Sequence, residues 1–266
     1  MGVVGMAKDE ALFVGQRVDA AMPSDSDHNA ILFHFGRPGG EAVRLLSWNI
    51  LCRYGCDELS GVPFDGFNRR SETENSYASR LLRTASEVRR HVEAHKPHAV
   101  LLQECPEPGE YGHGMIAEQL EGLARLGYRL LQEGEFVTAV LGGDSQAVEL
   151  PPFARQGGKL HAVHSAELGS LVLNVHLRWD ELGSAAAAQT RGDLEAVLSH
   201  LRDRYPGAEI FLAGAASDAE TIEQLTDGLG HLCHPPGPTN VHWSGHKKRS
   251  ELTYADFAFR CPLPIA

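Results

Sequence analysis

The sequence predicts a mixed α/β sandwich, and three observations point there. Four apolar runs of strand length are spread through the chain: Leu45–Asn49, Val100–Glu104, Leu171–Leu177 and Ile210–Gly214. Stretches of helical periodicity stand between the first and second runs and between the third and fourth. Between the second and third, a helical stretch is followed by short strand-like segments broken at Gly142-Gly143, Pro151-Pro152 and Gly157-Gly158. Strands that both alternate with helices and follow one another directly fit mixed sheets better than a purely parallel one.

In chain order, residues 1–40 stand apart. Ala11–Val18 and Ala30–Phe35 each read as a strand, Met22–Asp27 between them is a turn or loop, and Arg37-Pro38-Gly39-Gly40 is a linker signal. This segment is expected to be an extra hairpin or a lead-in to a domain over 41–266. A strand over 43–50 follows, then a polar loop over 52–75. A helix is expected over 76–95, because Ala78, Leu81, Leu82, Ala85, Val88 and Val92 recur at three- and four-residue steps and Pro97 stops it. A strand over 98–104 precedes a second helix over 115–126, with Ile116, Leu120, Leu123 and Ala124 on one side and Gly127 as the stop. A third helix over 185–205 turns Leu194, Val197, Leu198 and Leu201 inward. After the strand at 209–213, Ser217 and Glu220 match a capping box that opens a helix over 218–229. The last clear element is Leu252–Phe259.

The 266 residues are 42% hydrophobic and 22% charged, which suits one large globular domain with a sizeable core. No apolar run approaches the length of a membrane span, and no secretory signal is visible, so a cytoplasmic location is expected. A net charge of −11 argues against broad non-specific binding to nucleic acid but allows a local basic groove. The five cysteines are an odd count and read as reduced thiols. Cys52-x-x-x-Cys56 and Cys233-His234 lack the second regular pair that a zinc site needs. Pairs such as His161-x-x-His164 are expected by chance among 14 histidines.

The first three apolar runs end in polar groups: Asn49, then Gln103-Glu104, then Asn174 with His176. Side chains at strand ends present chemistry at one rim of a sheet. Singly, Asn49 reads as a strand terminator, Glu104 as an ordinary carboxylate and His176 as a core histidine. In this order and context, Leu-Ser-Trp48-Asn49-Ile-Leu, Leu-Leu-Gln103-Glu104 and Asn174-x-His176-Leu resemble the endonuclease/exonuclease/phosphatase (DNase I-like) superfamily over residues 43–260. Tyr254-Ala255-Asp256-Phe257 resembles its late strand. The resemblance implies a four-layer α/β/β/α sandwich of two mixed sheets, with the active site where strand ends of both sheets meet. It implies Glu104 as the main ligand of Mg²⁺ or Mn²⁺ with Asn49 beside it, Asn174 and His176 on the scissile phosphate, and Asp256 orienting a histidine that comes later in the chain. The substrate or ligand it implies is a phosphoester: nucleic acid, inositol phosphate or phospholipid headgroup.

Two departures are visible. The family's Gly-Asp-x-Asn reads Gly214-Ala215-Ala216-Ser217 here, so the water-activating aspartate is replaced. Asp218 fits the first turn of the following helix better than the vacated role. The family's final Ser-Asp-His is expected a few tens of residues after Asp256 and does not occur there, which leaves Asp256 without a partner. Losing a general base costs ~10²–10⁴-fold in rate. The expectation is therefore a metal-dependent phosphoester hydrolase with a depleted site and weakly bound metal. The alternatives are a catalytically dead binding module for phosphate ligands, nucleic acid or protein, and a truncated nuclease. Arg53, Arg69 and Arg70 in the loop over 52–75 are the expected selectivity element. Lys247-Lys248-Arg249 near Trp243 reads as a solvated loop.

Overall fold

The computed structural model describes residues 9–14, 26, 28–37, 39–50, 74–151, 158–177, 185–216, 219–244, 249–253 and 255–261. The capping box at Ser217, Asp218 and the arginine-bearing loop lie outside them. Two six-stranded sheets pack face to face. The first runs β1 (Glu10–Phe13), β2 (Ile31–Phe35), β3 (Val43–Asn49), β4 (Ala99–Gln103), β6 (Phe136–Leu141), β5 (Tyr128–Glu133). The second runs β11 (His231–Cys233), β14 (Asp256–Cys261), β10 (Glu209–Ala215), β9 (Ser170–Leu177), β8 (Gly158–Ser165), β7 (Ser145–Val148). β3 pairs with β4 and β9 with β10 in parallel, and the other described ladders within the two sheets are antiparallel. The expected last element is in fact two strands. β13 (Arg249–Thr253) forms a separate hairpin with β12 (Asn240–Ser244), and β14 belongs to the second sheet.

Helices cover both outer faces. α1 (Glu74–His95) and α2 (His113–Leu120), the latter prolonged by a 3-10 turn over Glu121–Leu126, pack on the first sheet. α1 buries Tyr77, Leu81, Ala85, Val88 and Val92, whereas Leu82, expected on that face, is exposed. Lys96 ends α1 in the left-handed region at φ 46°, immediately before Pro97. α3 (Ala185–Arg204) lays Leu194, Val197, Leu198 and Leu201 on the second sheet beside Ile222 of α4 (Ala219–Thr226).

In the N-terminal segment, β1 and β2 pair antiparallel and extend the edge of the first sheet. β2 lies inside the first sheet between β1 and β3, and Ile31, Leu32, Phe33 and Phe35 are wholly buried. Ile31, Phe33 and Phe35 belong to the layer between the two sheets, with Leu45, Leu101, Val172, Phe211 and Ala258. Two arginines fasten this segment at the base of the sandwich. Arg37 lies 2.7 Å from Glu209 and donates to Ser170 Oγ at 2.7 Å, and Arg260 lies 3.1 Å from Asp9.

Candidate active site

Side chains on a strand alternate between faces, so every second residue enters the space between the sheets. Followed from the base upward, these inward positions change character together. β3 presents Leu45, Ser47, Asn49; β4 presents Leu101, Gln103; β9 presents Val172, Asn174, His176; β10 presents Phe211, Ala213, Ala215. β14 runs the other way and brings Asp256 opposite Ala215. The result is an apolar floor, a buried polar layer and a polar rim.

At the rim, Asn49 Nδ2 donates to Glu104 Oε1 at 2.7 Å. Glu104 follows β4 directly and would point away from Gln103 if the strand continued. Instead its backbone is left-handed at φ 57°, which turns its carboxylate toward the rim. That conformation costs a non-glycine residue about 1–2 kcal/mol. His176 Nε2 lies 3.6 Å from Glu104 Oε1, and its Nδ1 lies 2.8 Å from Glu135 Oε1. Glu135 sits in the turn joining β5 to β6, where the Cys105 amide donates to its backbone carbonyl at 2.9 Å. The His176 side chain is 30% exposed against 13–14% for the two carboxylates, so the imidazole is the part of the group that solvent reaches. Burial pushes the neighbouring Cys105 thiol well up, which removes it as a nucleophile.

The second pair overturns an expectation. Asp256 does have a histidine, and it comes earlier in the chain, not later: His28 Nδ1 lies 2.8 Å from Asp256 Oδ2, across 228 residues of sequence. The sequence at this point reads Ser26-Asp27-His28. The letters Ser-Asp-His, expected after Asp256, thus stand ahead of β3 instead. The surrounding bonds show how it is held. Ser26 Oγ donates to the Asn49 carbonyl at 2.6 Å and accepts from the His28 amide at 3.1 Å. Trp48 Nε1 donates to the His28 carbonyl at 3.1 Å. Thr239 Oγ1 accepts from the amides of Ala255 and Asp256, each at 3.0 Å.

Asn174 is not where the resemblance implies. It is fully buried beneath the rim, with its carbonyl accepting from Gln103 and its amide donating to the first sheet, and no phosphate can reach it. Ala215 is where the missing aspartate is expected, with His176 opposite it on one neighbouring strand and Asp256 opposite it on the other. Gly214 remains glycine because a Cβ there would lie 1.9 Å from the Val175 carbonyl oxygen. His161 is a core residue 2.9 Å from Thr138 Oγ1, and burial lowers its pKa to about 4.

No protein-family model matches this sequence, and no curated protein matches it. Among solved structures, the endonuclease/exonuclease/phosphatase from Bacteroides vulgatus aligns at TM-score 0.51 and 14% identity, over 83% of this chain and 87% of that one. A D. rerio TDP2 humanized by 14 mutations aligns at TM-score 0.50 and 16% identity, over 84% of this chain and 85% of that one. The chain has the endonuclease/exonuclease/phosphatase fold. At this identity the likeness establishes architecture, and the chemistry rests on the residues. In this DNase I-like sandwich the polar rim is built from strand ends of both sheets.

Asn49 and Glu104 suit a hard divalent cation. They offer an amide oxygen and a carboxylate, and Mg²⁺ keeps several waters, so one or two carboxylates suffice. Among the described residues, no group of three or more His, Cys, Asp or Glu forms a metal cluster; Asn49 is 1% exposed and the Glu104 side chain 14%, so a cation held by this pair would meet solvent on the Glu104 side.

Proposed function

We propose that this protein is a divalent-metal-dependent phosphoester hydrolase whose acid–base groups are two histidine–carboxylate pairs. One observation carries this: His176 with Glu135, and His28 with Asp256, flank Ala215 on the same rim that brings Asn49 to Glu104. Phosphodiester hydrolysis needs a proton acceptor for the attacking water, a donor for the leaving oxygen and positive charge on the phosphoryl oxygens. A carboxylate on Nδ1 fixes the imidazole tautomer and leaves Nε2 for proton transfer, so either pair has the form of a general acid or base. Bound at Asn49 and Glu104, Mg²⁺ or Mn²⁺ would supply charge stabilisation at the phosphate. The aspartate replaced by Ala215 makes turnover slow rather than absent, since both histidine pairs are retained.

The test is hydrolysis of bis(p-nitrophenyl) phosphate with Mg²⁺ or Mn²⁺. The expected result is slow, metal-dependent turnover that Glu104→Gln abolishes. Ala215→Asp, placed beside Asp256, should raise the metal-dependent rate by ~10²-fold or more, the size of a restored general base. No turnover in either the wild type or Ala215→Asp would overturn the reading. It would favour the second one, a phosphate-binding module, for which Ala215 is the supporting observation.

A further inference from the structure

We propose that Gln103 and Asn174 form a cross-sheet clamp that positions Glu104 and His176 against each other. Gln103 belongs to the first sheet and Asn174 to the second, and both are fully buried. Gln103 Nε2 donates to Asn174 Oδ1 at 2.6 Å. Asn174 Nδ2 faces the Leu102 carbonyl at 3.0 Å and the Val137 carbonyl and Thr138 Oγ1 at 3.3 Å each. Leu102 and Val137 are the last partners of the β4–β6 ladder on the rim side. One amide from the second sheet thus bonds to the first sheet where β4 and β6 part.

The clamp's two ends adjoin the rim. Gln103 is bonded through the chain to Glu104, and Asn174 is one inward position below His176. Glu104 lies just past the end of β4, and its height relative to the second sheet is set by contacts that cross between the sheets. The Gln103–Asn174 bond is the fully buried one directly beneath it. A shift of one sheet over the other would open the 3.6 Å approach of His176 to Glu104, and it would also break the buried amide–amide bond. Buried polar groups are hydrogen-bonded at fixed geometry or are costly, so this layer resists sliding where an apolar layer would yield. Both are positioning residues, because neither reaches the solvent side of the rim.

This proposal rests on reading the rim as a metal and phosphate site, and its test separates the two ideas. Asn174→Leu removes the clamp and leaves Gln103 and the Leu102 and Val137 carbonyls without its amide; Gln103→Leu/Asn174→Leu also removes the stranded Gln103 amide, so it should regain part of the lost stability, the carbonyls staying unpaired. If the pair only held the fold together, a folded double variant would keep the wild-type site. If it positions the site, the double variant, shown to be folded by its circular dichroism, should bind Mg²⁺ ~10-fold more weakly. Its kcat should fall ~10–10²-fold with KM little changed, and the imidazole ¹⁵N resonances of His176 should move. A folded double variant with wild-type Mg²⁺ affinity and unchanged His176 resonances overturns the clamp. Should the Leu variants not fold, Gln103→Met removes the 2.6 Å bond together with the contacts of Gln103 Nε2 to Ser47 Oγ at 3.3 Å and the Leu101 carbonyl at 3.1 Å, leaves the Asn174 amide on the Leu102 carbonyl, and takes the same measurements, with the same outcomes deciding. Absence of hydrolysis in both the wild type and Ala215→Asp defeats the proposed function, while the resonances still decide the clamp.

Discussion

Asp256 shows how much one side chain controls here. It is buried, and its Oδ2 holds His28 at 2.8 Å. Asp256→Ala would leave a buried imidazole without that partner, a loss of about 1–3 kcal/mol in unfolding free energy. It would also remove the group that fixes the ring's tautomer, so hydrolysis should drop ~10²–10⁴-fold beyond what the stability loss explains. Chemical denaturation and phosphodiester kinetics on the same preparation measure the two effects. His28→Gln should reproduce the kinetic loss, and a His28→Gln protein with full turnover would detach this pair from the chemistry. The residues that sequence reasoning missed are instructive. Ser26-Asp27-His28 was legible letter for letter, but only to a reader who did not require it after Asp256. Glu135 had no signal at all: a lone carboxylate in a Gly134–Phe136 turn belongs to no periodic pattern. The left-handed turn at Glu104 was equally silent, since that conformation is ordinary for glycine and unusual for glutamate.

At the level of elements, the alternation rule did most of the work. Inward positions on β3, β4, β9 and β10 are readable as apolar runs with polar ends, which places Asn49, Gln103 and His176 between the sheets; Glu104, which alternation alone would turn outward, reaches Asn49 only through its left-handed backbone. The same rule misplaced Asn174. Sequence spacing says which face a residue occupies but not how far below the rim it lies, and one inward step separates a solvent-facing imidazole from a sealed amide. β2 makes the complementary point. Its apolar run was visible, yet the Pro-Gly-Gly stretch after it looked like a boundary, whereas it joins two neighbouring strands of one sheet. Because Phe33 sits wholly buried between the sheets, Phe33→Ala should cost about 3–5 kcal/mol, as removal of a core aromatic does and a detachable hairpin residue would not. A urea midpoint unchanged by this substitution would return β2 to the periphery.

For the whole molecule, pH is the variable that its buried histidines control. His91 and His161 both have pKa values lowered to about 4, mainly because burial disfavours the charged imidazole. The unfolded chain takes up these protons near pH 6.5 and the folded chain only near 4, so the unfolded state binds more protons in between. Stability is therefore full above about pH 6.5 and falls as pH drops toward 4, by on the order of 3 kcal/mol for each group. His161→Phe, which keeps a ring beside Phe136, should flatten the melting temperature against pH in that window. An acid limb as steep as that of the wild type would remove His161 from the account.

The pairing of His28 with Asp256 also sets an order of events during synthesis. A chain still growing on the ribosome exposes Asn49, Glu104 and His176 long before β14 has been made. In such an intermediate His28 has no Asp256 to face until the last strand emerges. If the rim hydrolyses phosphoesters as proposed, nascent or prematurely released chains would be held back from that reaction, because the rim closes only when an early segment meets a late one.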